Sequence, residues 1–557
     1  MHLGRRLGPA LTIALAIVTV ASWTARADVP APVVTVALGN LSVQQYHPPV
    51  GTPGENTAEE PSIGSDHATD TNMYLSGLHT FSVKFDDTVK PAKDTWKDVS
   101  YRPTATTSLD PILFTDRTFN RTFVSQLAGA CSFFAFTDND GGSWTPGQGC
   151  GVPSGADHQS VGAGPYNPAG IPPQSTAFGD AVFYCSQSVV TAFCARSDTG
   201  GASFATGVPV YSFLQCGGLH GHIRVSQPVV AVPGGPPASG GGLDMLPNQN
   251  CDKQADPTAP AGTATFPYQA VVTSNDNGTT WKVQTIPDSH ATLRSDPSVD
   301  ADQGGKVYFG YEDSVTQSPG GTQIGGKAKI ATATVGAGGV LNWAPSVDIG
   351  YPVGVQNVQF PEVIAGGPGR AAYSFLGSTT PGNPEDVNFK GHWDLYLAIT
   401  TDGGQHWTVT DTTPTDPVER GCTYLSGSIG TCPKSKRNLL DFMDITVDED
   451  GHAIVGYADG CTGACATGDG SQCTSDVVGS PQVCNTGTAA STARYASIAR
   501  VQCGPSLYAE YDSQYACPPA GGQIAEAPWV PGLTLGGGAV LIASTVVRRR
   551  RHSPLQR

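Results

Sequence analysis

Between its two ends the chain is written in short segments of period two. In the segment Val299 to Tyr311, apolar Val307, Phe309 and Tyr311 alternate with other residues after a Gln303-Gly304-Gly305 turn. The segment Val447 to Tyr457 repeats the arrangement around Gly451. Alternation of this kind gives a strand one apolar face, and the Gly-rich turns fold consecutive strands into hairpins. No amphipathic helical period of useful length interrupts the series, so the pattern predicts an all-β chain.

An octapeptide turn recurs four times. Ser274-Asn-Asp-Asn-Gly-Thr-Thr-Trp281, Thr400-Thr-Asp-Gly-Gly-Gln-His-Trp407 and Thr137-Asp-Asn-Asp-Gly-Gly-Ser-Trp144 share hydroxyl, Asp/Asn, Gly and aromatic residues at places one, three, five and eight. Ser197 to Phe204 is a fourth copy with Thr199 at the third place. A short carboxylate or amide at place three closes a turn through neighbouring N–H groups, and the Gly tolerates positive φ. The closing aromatic is expected to bury itself against the sheet that carries the turn. The pattern resembles the Asp box, or bacterial neuraminidase repeat, of the sialidase-like β-propellers. That resemblance implies radial four-stranded blades, with these turns stapling the outer hairpins away from any catalytic mouth.

A second repeat counts the blades. Glu60-Pro61-Ser62-Ile63, Asp110-Pro111-Ile112-Leu113 and Asp296-Pro297-Ser298-Val299 share an acid-Pro-x-apolar start, and Phe360-Pro361-Glu362-Val363 keeps the proline. Looser relatives begin at Asp157, His220 and Phe442. Seven units therefore start near residues 60, 110, 157, 220, 296, 360 and 442. Unequal spacing fits four-stranded blades with insertions. The expectation is one seven-bladed propeller over residues 28–517, with six blades as the alternative. The run Val33 to Ala37 is expected to close the last blade and remove its exposed edge.

Composition and the chain ends add the setting. Arg5 and Arg6, an apolar run from Ala10 to Ala21 and the small-x-small site Ala25-Arg26-Ala27 read as a signal peptide over 1–27. The Arg pair fits a twin-arginine signal poorly, which leaves ordinary secretion as the reading. After a linker at 518–528, the apolar stretch 529–547 is just long enough to span a bilayer, and Arg548 to Arg551 place the tail 548–557 in the cytoplasm. This arrangement resembles actinobacterial surface anchors without the LPxTG sortase motif. A cell-surface, single-pass protein is expected. Fourteen cysteines suit an oxidising compartment. Cys131/Cys150, Cys185/Cys194, Cys422/Cys432, Cys473/Cys484 and Cys503/Cys517 are plausible local pairs, while the spacing of Cys461 and Cys465 reads first as a loop staple and, as the alternative, as a zinc site. The net charge of −16 argues against nucleic acid as a partner.

Residues at the unit starts converge on the mouth of a propeller. They are Glu60, Asp110, Asp157, His158, His220, His222, Asp296, Glu362, Asp441 and Asp444. Alternation adds Arg224 beside His220 and His222, and Arg294 beside Asp296. Such a mouth can bind a polar ligand. Its carboxylates, Asp296, Glu362, Asp110 and Asp444 foremost, could also act as acid and base in glycoside hydrolysis. An Asp before Pro can equally do no more than cap a turn. His158, His220 and His222 with a carboxylate could hold a divalent metal, the one cofactor the sequence suggests. True sialidases are implied to use three arginines, a Tyr–Glu nucleophile pair and an Asp acid/base, the first arginine lying in an Arg-Ile-Pro motif. No such motif occurs here; Tyr101-Arg102-Pro103 is the nearest string. The resemblance thus speaks to the fold. The leading functional expectation is a propeller that binds an extracellular glycan or surface protein at its mouth. A sialidase-like hydrolase is the alternative, and a metal-dependent enzyme using the mouth histidines the second.

Overall fold

The computed structural model describes residues 34–102, 109–128, 131–149, 157–175, 177–188, 191–230, 240–252, 268–292, 294–313, 325–423, 432, 439–461, 464–467 and 494–517. The expected signal segment, linker, anchor and tail lie outside these residues, as do Cys150, Cys473 and Cys484. Among the described residues no helix is long and apolar enough to cross a membrane.

Seven sheets, antiparallel but for one added N-terminal strand, form a closed seven-bladed β-propeller, not a six-bladed one. Blade one runs outward in chain order through Ser62–Asp66, Thr71–Ser76, His79–Asp86 and Lys93–Asp98. The other innermost strands are Leu109–Asp116, Asp157–Pro165, Arg224–Val225, Ser298–Ala301, Asn357–Ala365 and Asp444–Val447. All begin within a few residues of the positions read from the repeat. Each touches its neighbour in turn, and the seventh returns to the first.

The apolar clusters lie between blades rather than within them. One joins blades two and three through Phe123, Phe134, Val161 and Tyr184. Another joins blades five and six through Tyr308, Ile330, Tyr373 and Trp407. A sheet packed on both faces buries every residue of its inner strands, and Asn357–Ala365 and Ala371–Ser378 are buried throughout.

The octapeptides occupy the turns between third and fourth strands, and all four share one bonding scheme. The first-place hydroxyl accepts the N–H of the fifth-place glycine at 2.8–3.1 Å in each copy. Asn139, Asp276 and Asp402 accept the seventh-place N–H, and the Thr199 hydroxyl does the same at 3.0 Å. A hydroxyl therefore replaces the acid without loss of the turn. One expectation is corrected: the closing aromatic reaches the preceding blade. Trp407 of blade six meets Tyr308 of blade five edge-on at 6.3 Å, and Phe204 of blade three meets Phe134 of blade two at 5.2 Å. Trp144 of blade two donates to the Val99 carbonyl of blade one at 2.7 Å. The gap between splayed blades offers a ring more apolar contact than the outer edge of its own sheet does.

The closing strand is also corrected. Thr35–Leu38 adds in parallel to the outer strand of blade six, His406–Asp411, with Val36 opposite Trp407. The next segment, Ser42–Tyr46, completes blade seven antiparallel to Tyr495–Cys503. Val34 and Val36 pack on the apolar cluster of blades five and six, which leaves the blade-seven edge to the following strand. The N-terminal chain thereby laces two blades together.

Disulfides join Cys185–Cys194, Cys216–Cys251, Cys422–Cys432, Cys461–Cys465 and Cys503–Cys517. The bond between Cys461 and Cys465 replaces the zinc reading. Cys216–Cys251, unforeseen, spans 35 residues and forms because an antiparallel bridge sets the two side by side. Trp407 is 1% exposed and packs across two blades, so Trp407→Ala should lose about 3–5 kcal/mol. Urea melts followed by circular dichroism should show that loss, and a smaller one for the half-buried Trp281→Ala.

Candidate functional site: the axial mouth

In each blade the innermost strand has one edge facing the axis, where its N–H groups have no ladder partner. Side chains from the preceding blade supply one. Glu60 accepts the Asp110 N–H at 3.1 Å, and Asp110 accepts the His158 N–H at 2.8 Å. The Ser160 hydroxyl accepts from Ile223, Ser298 from Val363, and Asp444 from Ile63, at 2.8, 3.0 and 3.1 Å. Asp300 accepts from Ala365 at 2.9 Å. Three of the seven acids read from the unit starts, Glu60, Asp110 and Asp444, are therefore stitches between blades.

The upper layer of the mouth is built on bulged strand starts. Glu60, Asp110, His158 and Phe360 occupy equivalent places with φ of 46°, 45°, 44° and 52°. The last three sit at register shifts in their strands. A left-handed non-glycine residue is strained, and a bulge re-aims its side chain. On one side of this layer the carboxylates of Glu60, Asp110 and Asp441 approach within 4.8 Å of one another. On the other, His158 Nδ1 lies 3.0 Å from Asp296 Oδ2, and Gln249 Nε2 donates to Asp296 Oδ1 at 2.7 Å. His220 stands edge-on to His158 at 6.3 Å, and its Nδ1 is 2.9 Å from the Gly221 carbonyl. Burial alone would raise the Asp296 carboxyl, but the His158 imidazole holds it below its ordinary value. Asp157 opens the inner strand of blade three.

The lower layer closes the axis. Arg224 of blade four reaches across to Asp444 of blade seven, Nη2 to Oδ1 3.1 Å, and lies over the Phe114 ring of blade two at 5.7 Å. His222 meets Phe442 edge-on at 4.9 Å and comes within 3.9 Å of Asp444. Glu362 completes a group with His222 and Asp444. Burial first, then the Asp444 charge, pushes Glu362 well above the usual carboxylate range. Burial lifts Asp444 as well, opposed by Arg224 and by the Ile63 and Ile445 N–H groups. Burial, then Arg224, pushes His222 down to about 3. The proton therefore resides on Glu362 and not on His222. Below this layer a cavity of about 30 Å³, lined by Arg224, Asp300, Phe114 and Ile364, has the room of a single water.

The structure thus separates residues that alternation had grouped. His158 and His220 belong to the upper layer, while His222 joins Glu362 and Asp444, so the histidine-containing group with metal-ligand spacing is one imidazole and two carboxylates, beside the all-carboxylate group of Glu60, Asp110 and Asp441. In the histidine-containing group Arg224 already neutralises Asp444, which fits a divalent cation poorly. Residues 294–297 precede the strand, so period two does not apply to them. Arg294 turns to Glu312 at the end of its own blade's second strand, and Asp296 turns across the mouth to His158. Gln249 and Asp300 were missed. Gln249 lies at the end of a second strand and carries no motif. Asp300 was legible as the next inward position after Ser298.

No family model matches the chain, and no curated protein matches it. Solved structures share its architecture weakly. A protein of unknown function from Dyadobacter fermentans is 10% identical over 82% of this chain and 98% of its own, with a TM-score of 0.35. A polysaccharide lyase of family PL25, an ulvan lyase bound to its oligosaccharide, is 9% identical over 72% and 91%, with a TM-score of 0.38. The Hadza microbial sialidase Hz136 is 13% identical over 66% and 68%, with a TM-score of 0.34. At such scores the likeness carries no argument about activity.

His222 is held neutral at a value below the ordinary one, so the unfolded chain binds its proton first. The stability this group contributes is present above about pH 6.5 and is lost as pH falls toward 3. At pH 5 the loss amounts to about 2 kcal/mol. Thermal melts at pH 7 and pH 5 should show the wild type falling further than His222→Gln.

Proposed function

We propose that the protein is an exported propeller that binds an extracellular glycan on its mouth face without cleaving it. The observation carrying this reading is the closed axis. Glu362 and Asp444 have the electrostatics of an acid and its conjugate partner, yet they are 4% and 1% exposed beneath the His222–Phe442 and Arg224–Asp444 bridges. A sugar ring cannot reach them, and Glu60, Asp110 and Asp444 are already engaged by backbone N–H groups. Nearer the mouth opening lie the acids, imidazoles and Gln249 amide of the upper layer, themselves at most 8% exposed for Glu60, Asp110, His158, His220, Gln249 and Asp296, which supply donors and acceptors to hydroxyls.

The surroundings support a binding platform. In an antiparallel meander, the connections between blades and those between second and third strands emerge at the mouth. Four of the five described disulfides lie toward that face. Loops held by a rigid scaffold are where recognition concentrates. The apolar stretch 529–547 and its arginines support retention of the propeller at the outer surface of the membrane.

A glycan array read for both binding and release should show retention without turnover, and His158→Asn or Asp441→Asn should weaken retention by about tenfold. Release of an aryl aglycone that disappears in Glu362→Gln would instead establish the hydrolase. Full-length protein should require detergent for extraction, whereas a chain ending at residue 528 should appear in the medium.

A further inference from the structure

The face opposite the mouth carries a groove that the mouth-binding reading leaves unused. It lies between blades three and four and encloses about 510 Å³, within the range of small-ligand sites. Its origin is local. The fourth strand of blade three, Val208–Pro209, has two residues and pairs only with Phe193 and Cys194. The chain ahead of it, from Phe204 to Thr206, lines a hollow while the Ala205 N–H still bonds the Arg196 carbonyl of the third strand. The blade-four turn Asn277 to Thr279 and the connection containing Ile171 and Gln174 form the other wall.

The lining chemistry selects the ligand. Arg196 and Asp198 are locked to each other, Nε to Oδ1 2.8 Å, and each is held further. Arg196 donates to the Asn277 carbonyl at 2.8 Å, and Asp198 accepts from the Tyr166 hydroxyl and the Gln174 N–H at 2.9 and 2.7 Å. The groove therefore presents no uncompensated charge. The backbone beside it is also occupied, since the Arg196 carbonyl accepts the Ala205 N–H at 2.8 Å, which disfavours an added peptide strand. What remains is apolar surface from Ile171, at 51% exposure, with Val208 and the chain at Phe204 and Ala205 beside it, under a rim of hydroxyls and the Gln174 amide. A pyranose has the matching form, with C–H faces for the apolar surface and equatorial hydroxyls for the rim.

We propose that this groove is a second saccharide site, taking neutral oligosaccharides of about two residues, on the side of the propeller opposite its mouth. Two sites on opposite faces would let one molecule bridge glycan chains, with the gain in avidity that simultaneous engagement brings.

The test titrates full-length protein with cellobiose, maltose and lactose by saturation-transfer NMR, with 3′-sialyllactose as the charged comparator. Ala205 is exposed, so Ala205→Trp fills the groove without touching the core, and Gln174→Ala removes a rim amide. At least one neutral disaccharide should bind and saturate, with affinity falling about tenfold or more in Ala205→Trp and by a smaller factor in Gln174→Ala. Both variants should keep the parent melting temperature, and His158→Asn should leave this binding unchanged while weakening the mouth. Absence of binding by all three neutral sugars, unchanged affinity in Ala205→Trp, or binding of sialyllactose alone would overturn the proposal. Loss of binding in His158→Asn but not in Ala205→Trp would overturn it too and leave the mouth as the site.

Discussion

A radial fold must satisfy the inner edges of its blades, and this requirement organises the molecule. The N–H groups that face the axis cannot pair within their own sheets, and a buried unpaired amide costs on the order of 1–3 kcal/mol. The chain answers with a side chain from the preceding blade: Glu60 to Asp110, Asp110 to His158, Ser160 to Ile223, Ser298 to Val363, Asp444 to Ile63. Each bond fixes the height of one blade against the next. The same groups that suggest catalysis by their chemistry thus serve the ring by their position.

That double use shapes the mouth. Glu60 and Asp110 are held by backbone donors, and Asp296 by the His158 and Gln249 side chains. The strained starts at Glu60, Asp110 and His158 place them at one level. Beneath, Arg224 spans the axis to Asp444 and seals it. A guanidinium that pairs across the axis needs its partner ionised, and the proton displaced by crowding settles on Glu362. The result is a fixed polar floor over a throat that Arg224 and Asp444 bridge.

The outer rim is governed by a separate rule. Third-to-fourth-strand turns clamp the previous blade through Trp407, Phe204 and Trp144, and in blade three the shortened outer strand leaves the hollow beside Phe204. Stability and surface relief thus come from the same turns. Because the hydroxyl of Thr199 substitutes for a carboxylate in one of them, the turn tolerates changes that a charge-dependent site would not.

Local chemistry along the chain determined the strands, the octapeptide turns, the seven unit starts and four of the disulfides, because each rests on residues within a dozen or so positions of one another. Cys216–Cys251 and the swap of closing strands escaped it, since both depend on which surface a segment meets after the ring closes. The unit-start residues were legible as neighbours of the axis, but Gln249, the turn of Arg294 to Glu312 and the partnerships across the axis were not. His158 with Asp296, Arg224 with Asp444 and His222 with Glu362 join non-adjacent blades across the axis, at separations of 138, 220 and 140 residues by their numbering. Periodicity reports which way a side chain leaves its own strand. Only the tertiary structure decides what stands opposite, because burial and charge pairing act through space, and the radial arrangement makes distant parts of the chain neighbours at the axis.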